Sequence, residues 1–361
     1  MTKKVIQIIP RLPLYGDGVA DYSVKLSETL LQQFGISTEF LIFETQGEIR
    51  ELNNFHIQRL PAHNPDTFIS LLPQRTQTVI LQYSNYPYLK SKLKAPFWLL
   101  KALQLAINSY QLKLIVMFHE LPILKYNSIN VLNPIQSILS YQLAKLADVT
   151  ITNNAKIQST LSQWLNKPVT SIPNFSTIGE PNYILPLKER KYRVVVFGTT
   201  HNRSRIYGKY FNLLLLTCKK LGIREIYDIG HKINIDRDKL SGIRLVEMGK
   251  QPSEVVSDIL LSAKVGFLDY SWYPGCLGKS TVFAAFSAHG LVTILTKYNP
   301  SERDGIYLNK HYLLAEDSLN IMNLQELQLI ANNACQWYSG HNLISNARIF
   351  ASYLDFREKV N

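Results

Sequence analysis

The sequence predicts two doubly wound α/β domains of similar size. At 361 residues the chain exceeds what one ordinary hydrophobic core holds. Short apolar runs alternate with amphipathic stretches of helical period, the pattern of parallel sheets covered on both faces. The segment Pro173-Asn-Phe-Ser-Thr-Ile-Gly-Glu-Pro-Asn-Tyr-Ile-Leu-Pro186 interrupts this alternation with three prolines and a glycine in no period, and a second alternation follows it.

Val5–Ile9 opens the first half as a strand. Helix Val19–Phe34, strand Thr38–Phe43, helix Asp66–Leu72 and strand Val79–Gln82 follow. Pro96–Tyr110 has helical period, and Leu112–Phe118 is a wholly apolar strand. Helix Ser128–Leu146, strand Val149–Thr152, helix Asn154–Leu165 and strand Val169–Ile172 complete this half. The second half begins with strand Tyr192–Gly198. Helix Tyr207–Leu221, strands Glu225–Ile229 and Arg244–Val246, helix Ser253–Ser262 and strand Val265–Leu268 come next. Leu291–Leu295 is the last strand, and Leu324–Tyr338 and Asn342–Phe356 are closing helices. The expected division is a first domain over 1–175, a linker over 176–190, a second domain over 191–340, and a terminal helix in 341–361 that packs back on the first.

Composition narrows the function. No run of eighteen apolar residues exists to span a membrane. The first ten residues are too briefly apolar for a signal peptide and lack a small-residue cleavage site. Cys218, Cys276 and Cys335 have no metal-like spacing, which points to a reducing compartment without a disulfide framework. The net charge of +12 asks for an anionic partner. Between Thr67 and Ala147 the only acid is Glu120, against eight Lys or Arg. The densest part interleaves Lys90, Lys92 and Lys94 with Tyr88, Phe97 and Trp98, the chemistry of an interfacial membrane segment. A solvated basic helix face is the other reading. No nucleic-acid module is present, so nucleic acid is not an expected partner.

The most informative stretch is Tyr273-Pro-Gly-Cys-Leu-Gly-Lys-Ser-Thr281, between the apolar runs Lys264–Asp269 and Leu291–Leu295. Strand, glycine-rich loop, helix and strand in that order deliver N–H groups, a Lys and two hydroxyls to a helix N-terminus, which suits a phosphate. Gly278, Lys279, Ser280 and Thr281 are its candidates. A P-loop is excluded because Tyr273 stands where the first glycine belongs. The plain alternative is a helix start, with Gly278 turning the chain and Ser280 as N-cap. Ligands of open α/β sheets bind at the carboxyl ends of strands. Further polar loops stand at such ends: Gly16-Asp17-Gly18, His119-Glu120, Gly198–Arg203 and Gly230-His231.

Taken in order, these pieces resemble the GT-B fold glycosyltransferases, and among them the retaining glycosyltransferase family 4, over nearly the whole chain. Gly16–Ser23 is similar to the family's first strand-to-helix loop, and Met117–Glu120 to its His-Asp/Glu strand end. Ala147–Asn153 with Ile172–Phe175 resembles its last N-domain strands, Val194–Gly198 its first C-domain strand, and Ala263–Ile294 its donor site. The resemblance implies two Rossmann-like domains facing a central cleft. It also implies a nucleotide-sugar donor as substrate, with no cofactor and no metal. The acceptor is then a glycan, a lipid-linked molecule or a small molecule, met in the cytoplasm at the inner face of a membrane, as in polysaccharide biosynthesis. His119, Glu120 and Lys279 are expected at the reacting centre. Gly16, Asp17, Gly18, Thr199, His231, Gly278, Ser280 and Thr281 are expected at the donor, with Arg203 or Arg205 and Lys209 as its cations. Lys90, Lys92, Lys94 and Trp98 are expected to face membrane or acceptor. His119 has a second reading as a strand-end histidine with a satisfied hydrogen bond. The two Glu that the family usually carries, separated by seven residues, fall near Leu277 and Ala285, both apolar. This departure leaves two other expectations open: a nucleotide-sugar binding scaffold without catalysis, or another GT-B activity such as an epimerase.

Overall fold

The computed structural model describes residues 3–13, 18–43, 51–52, 54–73, 77–84, 88, 96–122, 133–240, 242–315 and 323–354. The chain divides into two units, Met1–Ile172 with Leu343–Asn361, and Pro173–Asn342.

The first unit alternates strands and helices: β1 (Lys3–Ile9), α1 (Gly18–Phe34), β2 (Ile36–Ile42), β3 (Glu51–Leu52), β4 (Phe55–Arg59), α2 (Pro65–Leu71), β5 (Thr78–Tyr83), α3 (Phe97–Tyr110), β6 (Lys113–Phe118), α4 (Asn133–Leu146), β7 (Val149–Thr152), α5 (Ala155–Leu165) and β8 (Thr170–Ser171). Its sheet runs β3-β4-β2-β1-β5-β6-β7-β8, and only β3 lies antiparallel to its neighbour. The central strands are covered on both faces, which is why Val5, Ile8, Val79, Leu81, Leu114 and Val116 are all buried. Right-handed crossovers place α3 and α4 on one face of this sheet, where they pack together. α1 connects strands in the opposite direction across the sheet and covers the other face.

The second unit contains β9 (Lys191–Phe197), α6 (Thr200–Tyr207), α7 (Phe211–Lys220), β10 (Glu225–Ile229), β11 (Arg244–Gly249), α8 (Ser253–Ser262), β12 (Ala263–Leu268), α9 (Thr281–Ala288), β13 (Val292–Leu295), β14 (Leu313–Leu314) and α10 (Leu324–Ser339). Its sheet runs β11-β10-β9-β12-β13-β14, parallel throughout. That is the dinucleotide-fold order, with its reversal between β9 and β12. Val194, Val196, Val265, Phe267, Val292 and Ile294 form its core with Phe211 and Leu214. α11 (Leu343–Tyr353) then rejoins the first unit and packs on α1, where buried Tyr22 Oη donates to Asn346 Oδ1 at 3.2 Å.

The structure alters three sequence expectations. The helix expected over Tyr207–Leu221 starts only at Phe211, and a separate helix, α6, precedes it, because the chain breaks at Gly208-Lys209-Tyr210, where Tyr210 N–H bonds back to Arg205 O at 3.0 Å. As a result, α6 occupies much of the segment read as a polar loop. The proline-rich stretch is not a free linker either. Ser176 N–H donates to Tyr338 Oη at 2.8 Å, Leu187 N–H to Gln328 Oε1 at 2.6 Å, and Arg190 Nη1 to Ala263 O at 3.1 Å. Prolines removed regular structure here without removing packing. Finally, the short strands β3, β4 and β14 were not expected. Residues 128–132, read as the start of a helix, lie outside the described residues.

Candidate functional site

The carboxyl ends of β9 and β12 form the topological switch point of the second sheet. Gly198 leaves β9 at φ +128°, a left-handed conformation that suits glycine, and a Cβ there would lie 3.2 Å from Val282 Cγ2. This turn therefore runs directly against α9. Thr199 is exposed and caps α6, accepting from Asn202 N–H at 3.3 Å. Arg205, further along α6, donates from Nε to Asp269 Oδ2 at 2.6 Å, and from Nη2 to Ser271 Oγ at 2.8 Å and Tyr210 Oη at 3.2 Å. Its Nη1 has no partner among the described residues, and the side chain is 21% exposed. Asp269 follows β12 directly, is buried, and also accepts from Thr296 Oγ1 at 2.6 Å and Ser271 N–H at 3.2 Å. The Arg205 guanidinium lies 5.1 Å from the Trp272 ring and 5.4 Å from the Tyr210 ring, and Lys209 Nζ lies 5.4 Å from the same Tyr210 ring. Arg205 and Lys209 thus meet at Tyr210, while Thr199 stands at the other end of α6.

The glycine-rich loop is braced by residues the sequence reading passed over. Buried Asn299 donates from Nδ2 to Tyr273 O at 3.0 Å and Tyr270 O at 3.3 Å, and its Oδ1 accepts from Gly275 N–H at 2.9 Å. Ser301 Oγ accepts from Leu277 N–H at 3.0 Å. Gly275, at φ +74°, takes the left-handed turn that was expected of Gly278. Gly278 instead sits in a 3-10 turn, Leu277–Lys279, and its carbonyl accepts from Asn174 N–H at 2.8 Å. Lys279 Nζ lies 4.1 Å from the Tyr273 ring, so Arg205 and Lys279 rest on successive aromatic residues of one loop. Ser280 is buried and caps α9 through Phe283 N–H at 3.1 Å, and Thr281 is the first residue of that helix. Leu277 and Ala285, near which the resemblance placed an acidic pair, are both fully buried. Those positions belong to the core in this chain.

Arg203 has a different role from the donor cation considered for it. It is fully buried and forms an ion pair with Asp228 on β10, while its Nη1 donates to His231 O at 2.8 Å. Gly230 makes room for this pair, since a Cβ there would lie 2.4 Å from Arg203 Nη1. The exposed His231 is positioned at the end of β10 through its own carbonyl.

In the first unit, a line of buried neutral groups crosses the sheet to His119. Gln7 Nε2 on β1 donates to Ser27 Oγ of α1 at 2.6 Å, and Gln82 Nε2 on β5 donates to Gln7 Oε1 at 2.9 Å. Gln82 Oε1 then pairs with His119 Nε2 at 2.8 Å, so in this arrangement the His119 Nε2 carries the proton. Tyr22 meets the imidazole edge-on at 5.0 Å between centroids. Glu120 accepts from Ser84 Oγ at 3.4 Å. Gln7 and Gln82 did leave a signal, each being a polar residue inside an apolar parallel strand.

Gly18 is the first residue of α1, and Gly16, Asp17, Lys90, Lys92 and Lys94 lie outside the described residues. Trp98 belongs to an aromatic cluster, stacked on His63 at 5.3 Å and edge-on to Phe43 at 5.2 Å. Among the described residues no group of three or more His, Cys, Asp or Glu could hold a metal ion, and no helix is long and apolar enough to cross a membrane.

No protein-family model matches this sequence, and no curated protein matches it. Solved structures do. HepE of Anabaena, bound to UDP and glucose, is similar with a TM-score of 0.63 and 12% identity, over 98% of this chain and 99% of that one. The fold is GT-B. An alpha-glucosyltransferase in complex with UDP and DNA has a TM-score of 0.60 and 11% identity, over 98% of this chain and 99% of that one. A candidate UDP-N-acetylglucosamine 2-epimerase from Listeria monocytogenes gives 0.60 and 13%, over 100% of this chain and 98% of that one.

Proposed function

We propose that this GT-B protein transfers a sugar from a nucleotide-sugar donor to an acceptor hydroxyl. The observation that carries the reading is the braced pair of cations at the switch point of the second sheet. Arg205 is fixed by Asp269 and Ser271, and Lys279 stands over Tyr273 beside the start of α9. Proteins of this fold hold UDP and UDP-glucose, which supports a nucleotide sugar as the ligand.

When the bond from the sugar anomeric carbon to the β-phosphate oxygen breaks, negative charge grows on the departing diphosphate. Arg205 Nη1, Lys279 Nζ and the first N–H groups of α9 are suited to stabilise it without a metal. Asn299 and Ser301 hold the loop already in place, so little reorganisation is spent as charge develops. His119, fixed through Gln82, is suited to hydrogen-bond a sugar or acceptor hydroxyl. Retention at the anomeric carbon is part of this reading, as is a glycan or lipid-linked acceptor.

One alternative is an epimerase acting on the same donor class, supported by the similarity in fold to a candidate UDP-N-acetylglucosamine 2-epimerase. Thermal-shift measurements with UDP and UDP-sugars, followed by product analysis with and without acceptors, test both. A ligand at a hundredfold its dissociation constant adds roughly 2.7 kcal/mol. Acceptor-dependent release of UDP supports transfer, and acceptor-independent conversion of the sugar supports the epimerase. A protein that neither shifts with any nucleotide nor turns over any donor refutes the proposal.

A further inference from the structure

We infer that the outer face of α3 and α4 is a docking surface for an anionic lipid bilayer. On α3, Phe97, Lys101 and Leu105 recur every four residues and are all exposed, with Phe97 at 40% and Leu105 at 38%. On α4, Ile135, Ile138, Gln142 and Lys145 form one exposed stripe, with Ile135 at 43% and Ile138 at 51%. Each helix already buries a separate apolar stripe: Leu99, Ala102, Leu103 and Ala106 on α3, and Leu139 and Leu143 on α4. The exposed set is therefore surplus to the core. Elsewhere among the described residues of the first unit, only Leu31 and Ile344 are large, apolar and exposed.

The two helices are neighbours on one sheet face, so their outer stripes form a single surface. Neither helix contains an acidic residue. Large apolar side chains set among lysines, with no acid, match an interface that is apolar at depth and anionic at its surface. A second copy of this chain fits less well, because a two-fold interface here would set one acid-free, lysine-bearing face against another. Both helices start at the carboxyl edge of the sheet, so Phe97, Ile135 and Ile138 lie toward the end that carries His119. This inference does not depend on the donor reading, and the two can fail separately.

The test is sedimentation of the full chain with vesicles of phosphatidylglycerol and phosphatidylcholine, and with phosphatidylcholine alone. The protein should bind the mixed vesicles and not the neutral ones, and salt should weaken that binding. Ile135→Ser with Ile138→Ser should reduce binding by about tenfold or more. Lys101→Gln with Lys145→Gln should reduce it by about fivefold per lysine. Both double variants should keep the parent melting temperature, as the replaced side chains are exposed. No binding to mixed vesicles overturns the inference, as does binding that either double variant leaves unchanged. A concentration-dependent dimer lost in the isoleucine variant would assign the surface to a second copy instead. The thermal shift with UDP, measured on the same variants, reads the donor question separately.

Discussion

The two units end their central strands in opposite ways. The first unit leads to His119 through uncharged amides and a hydroxyl, Ser27, Gln7 and Gln82, all buried. The second assembles ion pairs at the carboxyl ends of the strands that flank β9, Arg203 with Asp228 and Arg205 with Asp269. A neutral line can set the direction of one hydrogen bond with little field of its own. An ion pair with a further N–H to spare can meet an anion. One architecture repeated twice thus carries a neutral polar line in one unit and ion pairs in the other.

The largest expected effect is on stability and separates the two arginines. Arg203→Met leaves Asp228 buried without its partner, which should cost about 3–5 kcal/mol in chemical denaturation. Arg205→Met should cost less stability, because Asp269 keeps Thr296 Oγ1 and Ser271 N–H as partners, and it should weaken UDP binding. If the two variants unfold alike, the distinction drawn between the pairs is wrong. The next comparison crosses the units. Lys279→Ala should reduce nucleotide-sugar turnover by about 10²-fold and erase the UDP thermal shift, with the melting temperature little changed. His119→Ala should reduce turnover by about 10²-fold or more while leaving UDP affinity intact. A proportionate loss of turnover, affinity and melting temperature in His119→Ala would make that residue purely structural. Smaller again is Gln82→Leu, which leaves Gln7 Oε1 and His119 Nε2 without this partner and should cost roughly 1–3 kcal/mol. It should also alter the pH profile of turnover, a change that lost packing alone would not produce.

The smallest effect concerns pH. Burial holds His289 and His341 of the second unit down to about 4, against an ordinary 6.5. Below pH 6.5 the unfolded chain takes up protons that the native one refuses until near pH 4. Stability is therefore fully present above 6.5 and falls as the pH drops through that window. Melting curves at pH 7 and pH 5 check this, and His289→Gln should flatten the difference. A melting temperature that rises on acidification would contradict the buried, neutral state.

The alternation of strands and helices was legible because parallel strands buried on both faces must be almost wholly apolar. The capping role of Ser280 was legible because a helix start has unpaired N–H groups wherever it lies. The choice between Arg203 and Arg205 was not legible. Two positions apart on a helix, they point in different directions, and only the folded sheet shows which meets Asp228 and which meets Asp269. Asn299 and Ser301 were equally hidden, since their importance lies in the carbonyls and N–H groups of a loop more than twenty residues earlier. The exposed stripe on α4 could not be separated from its buried one until the packing partner was known.

The return of α11 to the first unit has a consequence for synthesis on the ribosome. Tyr22 and Asn346 are hydrogen-bonded inside one unit, yet the whole of Pro173–Asn342 is translated between them. At roughly 5–20 residues per second, that interval lasts on the order of ten to thirty seconds. Throughout it, the nascent first unit presents the bare side of α1 while the second unit is still emerging. The earlier-made half is thus the later one to be completed, and during that wait it is the half that a chaperone would need to shield.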